Sequence, residues 1–502
     1  MAAIITDDFR RSSTTFLLND IKDQNTGAQD SPNSGTYEYF IGIGKSDAWE
    51  NDAGDLSETD QNFSTPLPTG SVIEAKEVID NLIGAVAIKP ANAYHVIPRI
   101  DWAANRRFKR WNENDPTMFD VTTDGANTYY PCYAIYADKI YVCLDNDSNN
   151  SYSTNGSYIP GLSSNTPVGE ASDRLPERLD DNYIWAYVAD LDNNSEFNTD
   201  QFVSISEIAD GSATDATTAT GGMVYGFEII NPGTGISGTD FKLLLNDNDG
   251  AVSTEIDLTV NNSGVGSSAK GVIMTSYSAP LDFQAQTNGT VRASVVPGPG
   301  ITATTLPVIR PLVAPILGFG YTPTADLPSF YAGLAVNYNG DVGGELSTSV
   351  SYRQISLLRN PTRFDDDSPS PTGDGLYDNE EVYNTLRRFE FGALEDLSNI
   401  SAGNIITETT TGLTETPAKA YVDFVDDTNK YVYFHQNESA EINQQEFSAT
   451  GDITIGVTSY TGYTITDPEY TPYSGEVYFV ENRKPIQRAA SQEEEIKLVI
   501  QF

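Results

Sequence analysis

The chain has 502 residues, 39% of them hydrophobic and 11% aromatic, enough large side chains for roughly two to four folded units and too many for an intrinsically disordered chain. Its 29 basic and 71 acidic residues give a formal net charge of −42, which excludes the broad basic face a nucleic-acid binder uses to displace counterions. Two cysteines, Cys132 and Cys143, exclude a disulfide framework and a four-cysteine zinc site and fit folding in the cytosol.

Taken in chain order, the first twenty residues hold only Phe16, Leu17 and Leu18 as a continuous apolar run. They place acids where an export signal carries bases, so no signal peptide is expected. The alternation in TYEYFIGIG, from Thr36 to Gly44, predicts a strand. SVIEAKEVIDNLIG then predicts a helix from Ser71 to Gly84. Ser71 caps it, Glu74 closes a capping box, Val72, Ala75, Ile79, Leu82 and Ile83 form the core face, and Gly84 is the stop.

Val96 to Trp102 joins an extended X-Pro unit to Arg99, Asp101 and Trp102, a composition that fixes a loop through a short ion pair and indole packing. Arg106, Arg107, Lys109 and Arg110 read as a locally paired surface loop. Around Asp138 and Lys139, PCYAIYADKIYVCL has the pattern of a hairpin. In it the two cysteines either face each other or are two buried free thiols.

Asn182 to Leu191 predicts another strand. Asp190, Asp192, Asn194 and Glu196, and again Asp247, Asp249 and Gly250, alternate oxygen ligands as in a calcium loop. Neither set completes it, because Gln201 and Ile256 stand where the final bidentate glutamate belongs. Polar turns without metal are the expectation, and no cofactor is assigned.

The Ala, Thr, Ser, Gly and Asp stretch from Ala209 to Thr220 opens a β region in which GFEIINPGTGI and VRASVVPGPGI repeat a strand and a Pro-Gly-x-Gly turn. They suggest a duplicated hairpin. Leu306 to Tyr321 is apolar but broken by Pro307, Arg310, Pro311 and Pro315, and is too short to span a bilayer. FDDDSPSPTGDG, from Phe364 to Gly375, reads as a surface loop. Asn379 to Phe391 is compatible with a weak helix or with a strand. Lys430 to Gln436, Glu476 to Asn482 and Ile496 to Phe502 predict strands. The fold class is mainly β, as several β sandwiches or barrels with a few short helices.

Catalytic chemistry is poorly signalled. His95 and His435 are the two histidines, and neither lies beside a serine or cysteine nucleophile motif. No G-x-S-x-G, P-loop or H-E-x-x-H string occurs. Acid pairs are too numerous to single out one.

Four ordered blocks carry a resemblance. They are YEYFIGIGKSDAW (Tyr37 to Trp49) with the stretch from Pro66 to Trp102, then DNYIWAYVADL (Asp181 to Leu191), YRQISLLRNP (Tyr352 to Pro361), and the segment from Ser474 to Phe502 that contains Glu481-Asn482-Arg483-Lys484-Pro485-Ile486, read as a polar turn. In this order the chain resembles the gene-product-eight family of baseplate wedge proteins of T-even-type contractile phages, over about a third of its length. The resemblance implies a non-enzymatic virion subunit, folded in the host cytoplasm and assembled into the tail baseplate. It also implies a homodimer that touches neighbouring wedge proteins and shifts as a rigid body when the sheath is triggered. No nucleic acid and no membrane insertion are expected.

On this reading residues 1–208 are family core, 209–328 an inserted Gly- and Thr-rich β domain, and 329–364 a continuation of the core. Residues 365–470 are a second, acidic β-rich insertion, and 471–502 supply the strands that complete the core, with Ile496 to Phe502 closing the domain begun near Tyr37. Two other classes fit the composition: a calcium-dependent β-rich adhesin or surface-layer module, and a tail polysaccharide depolymerase. Neither accounts for the four blocks.

Overall fold

The computed structural model describes residues 5–22, 39–49, 65–112, 115–146, 162–163, 166–167, 183–191, 197–205, 224–231, 240–246, 253–259, 292–297, 304–306, 308–313, 319–320, 322–339, 350–361, 382–409, 416–439, 441–449, 451–486 and 493–502. Among the described residues the structure is mainly β, with few helices. It divides into one unit of residues 1–15, 94–333 and 500–502, and another of residues 16–93 and 334–499.

In the first unit the hairpin read around Asp138 is present. Tyr133–Tyr136 pairs with Lys139–Asn146, and Ala137 and Asp138 both adopt left-handed backbone angles (φ 48° and 61°), as a two-residue turn matched to strand twist requires. Tyr183–Asp190 adds a third strand. Tyr183 and Trp185 stack at 5.6 Å, and Phe108 meets Trp185 edge-on at 5.2 Å, in a core that also holds Cys143. Both cysteines are buried and neither is in a disulfide, and burial pushes the Cys132 thiol far above its usual range, so it stays protonated and unreactive.

The basic run is not a wholly solvated loop. Lys109 is buried, and its ammonium donates to the Thr117 carbonyl at 2.5 Å. The two Pro-Gly-x-Gly segments do not form equivalent hairpins: Val224–Asn231 pairs with Val308–Val313, whereas Arg292–Pro297 pairs with Asp240–Asn246. Their turns lie outside the described residues.

Helix α1 (Asp7–Lys22) carries no continuous apolar run long enough to announce it, and its sequence signal is the spacing of Leu17, Leu18 and Ile21, all buried. Helix α2 (Val72–Asp80) starts where expected, with the Ser71 hydroxyl accepting from the Glu74 amide. It ends four residues before Gly84, and the predicted core face is corrected. Val72 is 87% exposed, Val78 is the buried helical residue, and Leu82 and Ile83 are buried in the following strand. Beyond Asn81, the wholly apolar run Leu82–Ala87, with β-branched Ile83 and Val86, is better satisfied between two strands than on a helix face.

The strands of the second unit are β1 (Tyr39–Gly44), β2 (Leu82–Ala87), β3 (Tyr352–Arg359), β4 (Val382–Asn384), β5 (Arg387–Glu390), β6 (Ile405–Glu408), β7 (Lys419–Asp426), β8 (Tyr431–His435), β9 (Ile453–Ile455), β10 (Thr458–Tyr460), β11 (Thr464–Thr466) and β12 (Glu476–Ile486). They form a five-stranded sheet in the order β4-β2-β1-β3-β12 and a seven-stranded sheet in the order β10-β9-β6-β7-β8-β5-β11.

Strands β1 and β2 are buried along their whole length, which explains why they read as near-continuous apolar runs. Gly42 sits where an added Cβ would meet Leu82 Cδ1 at 2.6 Å and Ser356 Oγ at 2.7 Å. The expectation of a helix near Asn379 to Phe391 gives way to β4 and β5. The expected turn at Glu481 to Ile486 is instead the end of β12, an edge strand, where Pro485 removes no interior ladder bond. The seven-stranded sheet has its own aromatic centre: Phe389 packs on Phe434 at 4.5 Å, on Tyr463 at 4.8 Å and on Phe447 at 5.2 Å.

The terminal strand Glu493–Gln501 is present but belongs to a different sheet from β1, beside the strand Tyr331–Asn339.

Candidate functional site

Strand β1 ends in a bulge against β2 between Ile43 and Gly44, and Lys45 takes a left-handed angle (φ 62°). The chain therefore turns out of the sheet, and Lys45, Ser46 and Asp47 leave the ladder as a cluster of polar side chains. Gly44 makes the exit possible, because a Cβ there would stand 2.7 Å from the Asn81 carbonyl oxygen, which accepts the Lys45 amide at 2.9 Å. Gly44→Ala is expected to cost about 1–3 kcal/mol through this clash. A thermal melt of the variant that matches wild type would contradict the geometry.

A second bulge, on β7 against β8 between Val422 and Phe424, aims Asp423 inward. Its carboxylate is fully buried and accepts from the Ser46 hydroxyl. Both of its oxygens lie 3.0 Å from His435 Nδ1, on β8. The other ring nitrogen, Nε2, faces Asp47 Oδ1 at 3.7 Å, and Asp47 Oδ2 accepts from Lys45 Nζ at 2.6 Å. Arg353, buried on β3, donates to the Ser46 carbonyl at 2.5 Å.

The arrangement alternates charge: Asp423, His435, Asp47, Lys45. Burial alone would strip the proton from the His435 imidazole, but the two carboxylates outweigh it and raise its pKa to about 10. Burial likewise works against an ionised Asp47, yet its contacts with His435 and Lys45 hold its carboxyl well below the usual range. A doubly protonated ring between two carboxylates satisfies the charges that burial would otherwise leave costly.

A polar relay lies beside the ring. Asn437 donates to Asn81 Oδ1 at 2.6 Å, and Asn81, which ends α2, donates to the Glu77 carbonyl at 2.7 Å. A further contact joins the same elements: Gln444 Nε2 donates to Asp80 Oδ2 at 2.5 Å. The loop after β1, the end of α2 and β3 are thus bound to β7, β8 and the loops after them.

Chemically this is a joint. The Ser46 hydroxyl donates to a carboxylate instead of facing the imidazole, and the imidazole holds its proton firmly, so a serine-activating base is not assembled here. The sequence signalled half of it. Lys45, Ser46 and Asp47 lie in the first block and Arg353 in the third, whereas His435 was set aside for want of a nearby nucleophile. Asp423 was missed, although an acid between Val422 and Phe424 in an apolar strand is a recognisable anomaly.

Elsewhere the loop clamp around Trp102 is present. Arg99 and Asp101 pair at 3.0 Å, Trp102 meets Tyr136 edge-on at 5.6 Å, and its amide donates to the Ile135 carbonyl at 2.8 Å. Of the candidate calcium ligands, Asp190 pairs with Lys139 at 2.6 Å. Asp192, Asn194, Glu196, Asp247, Asp249 and Gly250 lie outside the described residues. Among the described residues no group of three or more His, Cys, Asp or Glu is placed to hold a metal ion, and no helix is long and apolar enough to cross a membrane.

No family model matches the chain. It is 25% identical over 226 residues to the baseplate wedge protein gp8 of enterobacteria phage T4, a match that covers 40% of this chain and 60% of that protein. The chain is a distant relative of a baseplate protein. It spans about 60% of that relative's length.

Proposed function

We propose that the chain is a structural subunit of the baseplate wedge of a contractile phage tail. It acts through protein interfaces in baseplate assembly and in the switch that triggers sheath contraction. The observation that carries this reading is the similarity to a baseplate wedge protein, reinforced by a polar centre built as a joint and not as a reaction site. On this reading the protein is a homodimer within each wedge, contacts neighbouring wedge proteins, and is assembled in the host cytoplasm before it enters the virion. Its charge of −42 keeps copies soluble and apart until specific contacts form. Rigid-body movement of such a subunit stores its work in interfaces that exchange partners.

A nonsense mutation in the gene tests this. Infected cells are expected to accumulate heads and tail parts without complete baseplates, and supply of the protein in trans restores them. Normal tails made without the protein would refute the reading.

A further inference from the structure

Helix α1 is a single unbroken helix from Asp7 to Lys22, so the spacing of its residues fixes which side chains share a face. At 100° per residue, Phe9 and Phe16 lie within about 20° of each other and about 11 Å apart along the axis. Ser12 falls between them and Asn19 continues the row, and all four are exposed. Phe9 is 64% exposed and Phe16 66%. The opposite face holds Thr14, Leu17, Leu18 and Ile21, all buried. Lone exposed aliphatics such as Leu394 and Val457 are ordinary on a protein surface, but two aromatic rings aligned on the outer face of a docked helix are a patch.

The row itself is uncharged, in a chain whose net charge is −42. Asp8 pairs with Arg11 at 2.8 Å, and Arg10 and Arg11 lie over the Phe330 ring at 4.7 and 5.3 Å. Asp20, the acid nearest the row, accepts from the Tyr39 hydroxyl at 2.7 Å, and Lys22 stands about 120° round from Phe16. Asp23 to Thr36, the sequence that follows, has no apolar side chain beyond Ala28 and Pro32, so it has little with which to cover two phenylalanines.

The symmetry of the row selects the occupant. Phe9 and Phe16 stand at equal distances on either side of the Ser12–Ser13 bond. When two copies of α1 pack antiparallel about a two-fold axis through that point, Phe9 of each copy comes level with Phe16 of the other. The small serines meet at the axis and let the helices approach, and two aromatic pairs form at once. Charge favours the same arrangement. Asp8 comes level with Leu17 of the other copy and Asp20 with Ile5, so no acid faces an acid, whereas a parallel pair would set Asp8 against Asp8 and Asp20 against Asp20.

We propose that α1 is the centre of a two-fold contact between two copies of this chain, with Phe9, Ser12 and Phe16 of each helix packed antiparallel on the other. This surface rests on the homodimer of the functional reading above and gives it a location and an orientation. A helix pair alone covers less than the roughly 800 Å² per partner of a stable interface, so surface flanking α1 completes the contact.

The test compares the full-length protein with its Phe9→Ser/Phe16→Ser variant by sedimentation equilibrium over a range of concentrations. Thermal melts of the two are expected to agree, because both rings are exposed. Wild type is expected to dimerise and the variant to do so at least about ten-fold more weakly, with Leu394→Ser/Val457→Ser leaving the dimer unchanged. Orientation is read by cross-linking under a mild thiol oxidant. Ser12→Cys is expected to join two copies through a disulfide near the axis, and Asn19→Cys not to, since the antiparallel pair holds the two copies of that position about 20 Å apart along the helix. A double variant that dimerises as wild type does overturns the α1 surface and leaves the homodimer standing; if it also loses binding to another wedge protein, the row belongs to that partner instead. Cross-linking at Asn19→Cys as strong as at Ser12→Cys overturns the antiparallel packing. Wild type that stays monomeric at every concentration overturns both this surface and the homodimer, while the wedge role is decided separately by the nonsense mutant.

Discussion

Replacing His435 by alanine is expected to lower the unfolding free energy by about 3–5 kcal/mol, because it leaves the buried Asp423 and the largely buried Asp47 without the cation between them. For a 502-residue protein that melts as one unit, this is roughly a 3–5 °C fall in melting temperature. The loss should fall first on the seven-stranded sheet, since Asp423 and His435 lie on β7 and β8 and hold them to the loop after β1. Hydrogen exchange is expected to show β7 and β8 opening well before wild type.

The pH profile separates this account from mere loss of packing. Below about pH 6.5 the imidazole is protonated in the folded and the unfolded chain alike, so it adds no pH dependence. Between there and about pH 10, the folded value, the folded state keeps a proton that the unfolded chain has released. Stability therefore falls by about 1.4 kcal/mol per pH unit across that window. Asp47 works at the other end: its folded pKa is depressed, so its contribution is present above its ordinary value and is lost as pH falls below it. The groups facing the ring are Asp423, Asp47 and Tyr421, with Lys45 on the far oxygen of Asp47. Urea unfolding of wild type and His435→Ala from pH 6 to 10 reads the difference directly. Wild type is expected to lose stability steeply and the variant to show a much flatter limb; parallel limbs would mean that the ring is not charged.

Removal of Ile496–Phe502 is expected to abolish soluble folding. The segment buries Ile496, Leu498 and Ile500, each less than a tenth exposed, and the Phe502 amide donates to the Phe330 carbonyl at 3.0 Å. Loss of buried aliphatics at about 2–5 kcal/mol each is comparable to the whole stability of a typical domain, about 5–15 kcal/mol. A truncated chain that stays soluble and melts cooperatively would show that this strand is dispensable.

What was legible in the sequence follows from how local each cause is. The hairpin around Asp138 and Lys139, the Ser71 cap and the alternating strands are written in adjacent residues, and all are found, the hairpin's turn falling one residue earlier, at Ala137 and Asp138. Where α2 ends is not local, because Leu82 and Ile83 satisfy a helical period as well as a strand buried on both faces. Only pairing with β1 and β4 decides between them. Asn379 to Phe391 was ambiguous for the same reason. The buried joint was half visible. Lys45, Ser46 and Asp47 stand out as a polar string after an apolar strand, but their partners come from about 300 to 390 residues further on. No spacing rule connects residues across two bulges. His435 illustrates the point: a lone histidine in KYVYFHQ has no visible role until Asp423 and Asp47 are placed on either side of it.

On the proposed reading this chain holds other proteins in place within a tail. Cryo-electron microscopy of the intact virion that encodes it tests that most directly. Density for this fold is expected at the baseplate periphery, with the charged joint enclosed and neighbouring subunits seated on its surface. A tail resolved in full with no density for the chain would contradict it.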